Sequence, residues 1–123
     1  MGKFVIKEIK NGFKFNLKAG NGEIIATSQV YASLDTCKHG VESVMKNAPI
    51  ATVEDQTQEG YSEEKHPKFE IYTDKAGEFR FRLTAANGQN IAASEGYTAL
   101  ASCKNGIESV KKNAAEADVV VEE

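Results

Sequence analysis

Alternating apolar and polar residues predict short strands near the start of the chain. Residues 13–19 alternate strictly, with Phe13, Phe15 and Leu17 on one face and polar residues on the other. Residues 3–9 alternate in the same way. This period of two is typical of a strand with one buried and one solvated face. We therefore expect each strand to place its aromatic and aliphatic side chains in a common core.

Tight turns are predicted between these strands. Asn11-Gly12 and Asn21-Gly22 each join two apolar segments, and both residue types tolerate the positive φ angles of a hairpin turn. A third strand is predicted over residues 23–29. Strands joined by such short turns pair antiparallel.

An amphipathic helix is predicted after the third strand. Its apolar residues recur with a 3-4-3-4 spacing, which places them on one face of a helix. Ser33 can cap the first turn, because its hydroxyl accepts a hydrogen bond from a free backbone N–H. We expect the apolar stripe to be buried. Its members are Leu34, Cys37, Val41, Val44 and Ala48.

The whole unit occurs twice, since residues 3–48 recur at 68–114 with about half of the aligned positions identical. Thr98 is the cap candidate of the second helix. One βββα unit has only one sheet face and one helix to bury. We therefore predict an α+β fold in which two tandem βββα repeats form an antiparallel sheet with both helices on one face, around a pseudo-two-fold axis. The second helical stripe is Leu100, Cys103, Ile107, Val110 and Ala114.

The chain divides into four segments. Residues 1–48 are repeat 1 and residues 68–114 are repeat 2, and we expect them to share one core. Residues 49–67 are predicted to be a flexible acidic linker, because Gln, Glu, Thr and Gly dominate there. Residues 115–123 are an acidic tail, in which an edge strand over 119–121 is the less favoured alternative. The pattern does not predict the strand order.

Two small features recur in both repeats. Gly40 and Gly106 fall in the middle of the predicted helices, where glycine costs about 1 kcal/mol relative to alanine. We expect close packing of the helix backbone against the sheet or the other helix. Tyr31 and Tyr97 precede the helices. They are interpreted as partly buried anchors of the strand-to-helix corner, with ligand contact as the alternative.

Composition indicates an ordinary soluble domain. The 123 residues are 41% hydrophobic and 27% charged, and no apolar run is long enough to span a bilayer. Charged residues interrupt the apolar residues at the N-terminus, unlike in a signal peptide. We therefore expect a cytoplasmic protein that does not bind membranes. Cys37 and Cys103 are expected to be free thiols that act as small buried hydrophobes.

Charge is distributed unevenly along the chain. Repeat 1 has seven basic and four acidic residues, and repeat 2 has seven and five. The linker has one basic and five acidic residues, and the tail has four acidic ones. The outward-facing strand positions form a candidate binding face. Its members are Lys7, Lys14, Lys18, Tyr72, Arg80 and Arg82.

Such a basic face has two interpretations. With an aromatic residue it could follow a phosphate backbone, and the acidic segments could shield it. Alternatively, it is only the solvated side of an antiparallel sheet. The second interpretation is favoured, because stacking platforms usually present several aromatic side chains and only Tyr72 lies there.

Catalytic chemistry is not apparent in the sequence. Cys37 and His39 are two residues apart on a helix and point about 200° apart, so they cannot bind one metal ion from a single turn. There is no Cys-x-x-Cys pair, Gly-rich phosphate loop or nucleophile elbow. We therefore predict no catalytic, cofactor-binding or metal-binding residues. An enzyme would be indicated if the tyrosines preceding the helices clustered in one pocket with Glu42 and Glu108.

The motifs of repeat 2 resemble those of the YegP-like family of small bacterial proteins. They are Phe69 and Ile71, Phe79-Arg-Phe-Arg-Leu83, Asn87-Gly88, Tyr97 and Gly106-Ile-Glu-Ser-Val-Lys-Lys-Asn-Ala114. Repeat 1 departs slightly, with Val41 for Ile and Met45 for the first Lys. The resemblance covers both repeats but neither the linker nor the tail.

The resemblance implies an α+β fold of βββα units, in tandem or as dimers of single units. It implies no activity, because the family is known as one of unknown function. The leading functional expectation is a non-enzymatic cytosolic module that binds a protein partner or a second copy of itself. The alternative is a nucleic-acid-associated protein that uses the basic outer sheet face.

Overall fold

The computed structural model describes residues 2–122. Met1 and Glu123, the ends of the predicted repeat 1 and tail, lie outside this range. In chain order the elements are β1 (Lys3–Ile9), β2 (Gly12–Lys18), β3 (Ile24–Thr27), α1 (Leu34–Asn47), a short 3-10 helix (Ala48–Ile50), β4 (Thr52–Asp55), β5 (Lys68–Thr73), β6 (Phe79–Thr84), β7 (Asn90–Ala93), α2 (Leu100–Ala114) and β8 (Asp118–Glu122).

The strands form one open sheet in which each repeat contributes an antiparallel meander. Repeat 1 supplies β1, β2 and β3, and repeat 2 supplies β5, β6 and β7. The meanders join where Thr27 of β3 lies opposite Ala93 of β7. The strand order is β4-β5-β6-β7-β3-β2-β1-β8. The predicted βββα repeats and the shared, pseudo-symmetric sheet are therefore confirmed.

Both sheet edges are occupied by strands that the repeats exchange. β4 follows the helix of repeat 1 but pairs parallel with β5, the first strand of repeat 2. β8 follows the helix of repeat 2 and pairs parallel with β1, the first strand of repeat 1. Each repeat thus covers an edge that the other would leave unpaired.

This exchange corrects three expectations. The sheet is mixed rather than wholly antiparallel. The prediction of a flexible linker over 49–67 is wrong for residues 52–55, which are β4. The less favoured edge strand in the tail is present as β8. The physical reason is the same in each case, because these short edge strands are held by backbone pairing with a strand of the other repeat, which their local sequence does not specify.

The helices pack on the sheet face that carries the aromatic residues. Phe4 meets Phe15, and Phe69 meets Phe81, in edge-to-face pairs with ring centroids 5.6 and 5.8 Å apart. All four rings are fully buried. The helical stripes are buried as predicted, except that Leu34 and Leu100, in the first turns, are only partly buried. The buried helical and neighbouring positions are Cys37, Val41, Val44, Ala48, Cys103, Ile107, Val110 and Ala114.

The two helices begin differently. Ser33 is the N-cap of α1, where its hydroxyl accepts from the Thr36 N–H and the Thr36 side chain accepts from the Ser33 N–H. This reciprocal pair is a capping box. The N-cap of α2 is Ala99, which has no side-chain acceptor. The predicted cap at Thr98 is therefore wrong, because Thr98 lies one residue too early.

The mid-helix glycines accommodate the tyrosines that precede each helix. A β-carbon at Gly40 would lie 2.6 Å from Tyr31 Cζ, and one at Gly106 would lie 3.0 Å from Tyr97 Cζ. Both tyrosine side chains are partly buried, as expected for corner anchors. The close packing predicted at the glycines is confirmed. The nearest neighbour is the tyrosine ring, and a phenylalanine of the sheet, Phe15 or Phe81, has its Cε2 atom 3.1 Å from the same β-carbon position.

Candidate binding surface

The sheet places the predicted binding residues on the face opposite the helices, at its two ends. In repeat 1, Lys7 pairs with Lys14 across β1 and β2. Lys18 pairs with Lys3 in the same two strands. In repeat 2, Tyr72 of β5 pairs with Arg80 of β6, and Arg82 lies opposite Glu70. The structure therefore divides the six predicted residues into two groups, which the strands β3 and β7 separate.

Carboxylates neutralise the arginines of the repeat 2 group. Arg80 Nε lies 2.6 Å from Asp74 Oδ2, and this hydrogen bond lowers the pKa of Asp74. Arg82 Nε lies 2.5 Å from Glu70 Oε1. The Arg82 guanidinium also lies 4.6 Å from the centroid of the Tyr72 ring, in a cation–π contact. These three predicted residues are therefore engaged within the protein.

A buried ion cluster beside this group was not predicted from the sequence. Lys68 Nζ lies 2.8 Å from Glu54 Oε1 and 3.3 Å from Glu70 Oε2, and its side chain is 5% exposed. The Glu64 N–H and the Gln56 side chain also donate to Glu54. The cluster thus fixes the segment after β4 onto the outer sheet face.

The pKa values of the cluster reflect this pairing. Burial opposes ionisation of Glu54, but the hydrogen bonds from Gln56, Lys68 and the Glu64 N–H outweigh it and lower the pKa to about 2. The hydrogen bond to Glu54 raises the pKa of Lys68 despite its burial. At Glu70 burial again opposes ionisation, and the hydrogen bonds from Arg82 and Lys68 again lower the pKa. The cluster is therefore fully ionised at neutral pH.

The lysines of the repeat 1 group are not compensated in this way. Within residues 2–122, Lys3, Lys14 and Lys18 have no carboxylate within 4.0 Å. Lys7 lies 3.9 Å from Glu122 of β8, and both side chains are more than half exposed. Exposed pairs of this kind contribute little. We call these four residues, Lys3, Lys7, Lys14 and Lys18, the lysine face.

Repeat symmetry explains why the two ends differ. Lys3 and Lys68 occupy equivalent positions at the start of β1 and β5. Near Lys68, Glu54 of β4 pairs with Glu70 of β5. At the equivalent positions near Lys3, Val120 of β8 pairs with Val5 of β1. The same lysine is thus buried and paired in one repeat and exposed in the other.

The residues named in the enzyme hypothesis do not converge. Glu42 lines a cleft between α1 and the β6–β7 turn, whereas Glu108 lines a cleft beside Val53 of β4. Tyr31 and Tyr97 pack on the helix glycines. The geometry thus separates the carboxylates that one catalytic pocket would need to combine.

The remaining reactive groups also lie apart. Cys37 and Cys103 are buried free thiols, and burial raises the pKa of Cys103 to about 11. His39 and His66 are exposed, on α1 and before β5. No group of three His, Cys, Asp or Glu side chains suited to a metal ion occurs within residues 2–122. No helix in the same range has the length and apolar character required to cross a membrane.

Comparison with known proteins identifies relatives across nearly the whole chain. A family model described as a domain of unknown function, DUF1508, matches residues 10–55 and 74–120. The UPF0339 protein YegP of Yersinia pestis is 44% identical over 115 residues, which are 92% of this chain and 88% of that protein. A UPF0339 protein of Pseudomonas aeruginosa is 38% identical over 116 residues, covering 94% and 92% of the two chains.

One relative corresponds to little more than a single repeat. A UPF0339 protein of Agrobacterium fabrum is 60% identical over 53 residues, which are 43% of this chain but 86% of that protein. This match and the two segments of the family match agree with a chain built from duplicated units.

Solved structures share the fold. The solution NMR structure of YegP from E. coli, described as a protein of unknown function, has a TM-score of 0.78 at 36% identity and covers 98% of this chain and 92% of that one. A UPF0339 protein of Shewanella oneidensis has a TM-score of 0.78 at 33% identity, with coverages of 98% and 90%. The chain therefore belongs to the DUF1508 family of UPF0339, YegP-like proteins, whose function is unknown.

Proposed function

We propose that this protein is a non-enzymatic binding module whose lysine face binds an acidic segment of a partner protein. The observation that carries the proposal is the difference between Lys3 and Lys68. Glu54 and Glu70 compensate Lys68, whereas Val120 and Val5 occupy the equivalent positions beside Lys3. A carboxylate from a partner would supply the charge that repeat 1 lacks.

The arrangement of the lysine face supports an anionic ligand. Lys3 lies opposite Lys18 and Lys7 lies opposite Lys14, so like charges face each other across β1 and β2. Like charges directly opposite in a sheet destabilise it. An extended acidic segment could contact both pairs at once and relieve this repulsion. Charges at the exposed rim of an interface, like these lysines, mainly increase the rate and specificity of association.

An acidic protein segment fits this surface better than a nucleic acid. Single-stranded nucleic acids are usually bound by basic grooves that also present several aromatic side chains. The aromatic residue of the outer face, Tyr72, lies in repeat 2 and already contacts Arg82. The lysine face therefore offers charge without a stacking platform.

The experiment compares two anionic probes by fluorescence anisotropy. A labelled polyglutamate peptide and a labelled single-stranded oligonucleotide are titrated with the protein at low and at physiological salt. We expect the peptide to bind more tightly, and binding to weaken as salt increases. The double variant Lys14→Glu/Lys18→Glu should abolish peptide binding.

A matched control separates the lysine face from net charge. Lys38→Glu/Lys46→Glu makes the same charge change on exposed positions of α1, and it should retain peptide binding. Tighter oligonucleotide binding would overturn the proposal in favour of a nucleic-acid partner. No binding of the peptide, or equal loss in both double variants, would also overturn it.

Whether the acidic tail shields the lysine face is tested by a point substitution rather than by deletion. Deleting residues 115–123 would remove β8 and expose the edge of β1, so it would change the fold as well as the charge. Glu122→Gln removes only the carboxylate near Lys7. If the tail shields the lysine face, this variant should bind the peptide more tightly than the native protein.

A further inference from the structure

Two clefts lie on the sheet at the junction between the two repeats, and one of them shares a single residue, Lys14, with the lysine face. β3 and β7 pair at one position, where Thr27 lies opposite Ala93. Two clefts border this bridge, and both residues line each of them. One cleft, of about 210 Å³, also includes Gln29 and Asn90. The other, which we call the seam cleft, has a volume of about 280 Å³.

The two clefts are repeat-related copies with different charge. Five of the six residues that line the first have their counterparts in the lining of the seam cleft. However, Gln29 in the first corresponds to Glu95 in the seam cleft. The seam cleft also includes Lys14, whereas its counterpart Arg80 is bound to Asp74 and to the Ser94 carbonyl oxygen. Only the seam cleft therefore combines an ammonium with a carboxylate.

These opposite charges do not neutralise each other. Within residues 2–122, no ion pair of 4.0 Å or less joins Lys14 to Glu95. The Asn16 side chain adds hydrogen-bonding groups near the lysine end, and Ile24 and Ala93 supply apolar surface. A cleft with a few separated polar groups on an apolar lining orients a small ligand.

Thr27, which lines both clefts, has a polar atom without a partner. Its Oγ1 atom is buried and has no hydrogen-bond partner among residues 2–122. A bound ligand that draws this side chain into another staggered χ1 position would give the hydroxyl a hydrogen bond.

We infer that the seam cleft binds a small zwitterion of the α-amino acid class. Its carboxylate would contact Lys14 and Asn16, and its ammonium would contact Glu95. The volume of about 280 Å³ lies just below the usual range for ligand sites, so it fits a small molecule better than a drug-sized one. The inference shares Lys14 with the acidic-segment proposal, but Glu95 has no part in the lysine face and therefore distinguishes the two.

The test is a titration of the ¹⁵N-labelled protein followed by amide chemical shifts. L-alanine is compared with acetate and with methylammonium, each of which has one of its two charged groups. We expect saturable shifts at Ala93 and Glu95 with L-alanine, and at least about tenfold weaker binding of either half-molecule. The expected factor corresponds to the loss of one hydrogen bond to a charged group.

Two variants test whether L-alanine binds in the seam cleft. Glu95→Gln should weaken L-alanine binding by about tenfold while leaving polyglutamate binding intact. Gln29→Ala, at the position equivalent to Glu95 in the other cleft, should change neither the affinity for L-alanine nor the affinity for polyglutamate. Equal affinity for acetate and L-alanine, unchanged affinity in Glu95→Gln, or shifts that do not saturate would overturn the inference. Failure here leaves the acidic-segment proposal standing, and the reverse also holds.

Discussion

The hydroxyl of Tyr97 lies against the backbone of Gly106, in the middle of α2, at the place that a β-carbon would occupy. The equivalent pair in repeat 1, Tyr31 and Gly40, has the same arrangement. Each tyrosine ring also stacks on a core phenylalanine, with ring centroids 6.2 and 6.4 Å apart. The glycine thus allows the strand-to-helix corner to pack directly on the helix.

This relationship predicts that Gly106→Ala destabilises the protein. Alanine would improve helix propensity by about 1 kcal/mol, but overpacking typically costs about 1–3 kcal/mol. We therefore expect a lower melting temperature. Tyr97→Phe removes the nearest atom, so the alanine penalty should shrink in that background. An equal penalty in both backgrounds, measured by a double-mutant cycle, would contradict the contact.

The missing cap on α2 predicts a stabilising substitution. Ala99→Ser places a hydroxyl at the N-cap, where Ser33 already serves α1. Capping residues contribute about 0.5–2 kcal/mol relative to alanine. Urea unfolding should show a gain in this range, and Ser33→Ala should show a loss of similar size. A serine at position 99 without any gain would show that the missing side-chain cap of α2 does not limit the stability of the protein.

The buried cluster predicts an acid-sensitive contribution to stability. Because the folded-state pKa of Glu54 is about 2, below its ordinary value of 4.5, the carboxylate stabilises the folded protein above about pH 4.5. This contribution is lost as the pH falls towards 2. The raised pKa of Lys68 acts in the opposite sense, since its contribution is complete below about pH 10.5 and is lost at higher pH.

The measurement is the unfolding free energy of Glu54→Gln as a function of pH. We expect a loss of about 1.5–3 kcal/mol at neutral pH, the range for a hydrogen bond to a charged group. The acid limb of the stability curve should become shallower. Glu42→Gln, at an exposed carboxylate of α1 with no ion pair within residues 2–122, is the control and should change the curve little. If the stability of Glu54→Gln falls with acid as steeply as that of the native protein, the cluster does not determine the acid sensitivity.

The exchanged edge strands predict that the halves stay together after cleavage. Residues 58–63 are exposed, so a protease that cuts after Glu59 can nick the chain there. β4 remains paired with β5, and β8 with β1. The nicked protein should elute as one species and dissociate only in denaturant. Separate elution of the halves under native conditions would show that the exchange is too weak to hold them.

The candidate surface was only partly predictable. Lys7, Lys14 and Lys18 follow from strand alternation alone, and in the structure they alternate with the buried residues of β1 and β2. The engagement of Arg80 and Arg82 could not be predicted, because their partners depend on sheet register and on the turn before β6. Asp74 is six residues from Arg80, whereas Glu70 reaches Arg82 only across two paired strands.

The buried cluster was missed for a related reason. Glu54 falls in a polar, acidic stretch whose composition predicts disorder, and it becomes buried only when β4 pairs with β5. The signal that could have indicated it is the repeat alignment. Lys3 and Lys68 align, but Val5 aligns with Glu70, so the second repeat places a carboxylate where the first has an apolar residue.

The sequence by itself determined the repeat, the meanders, the helical stripes and the close packing at the mid-helix glycines. These depend on local periodicity and on residue types that repeat at fixed spacing, which each segment carries within itself. Tertiary structure decided the strand order, the exchange of β4 and β8, and the contrast between Lys3 and Lys68. Those features depend on pairing between segments far apart in the chain. Backbone hydrogen bonds hold such strands together whatever their side chains, so the local sequence gives little indication of which strands pair.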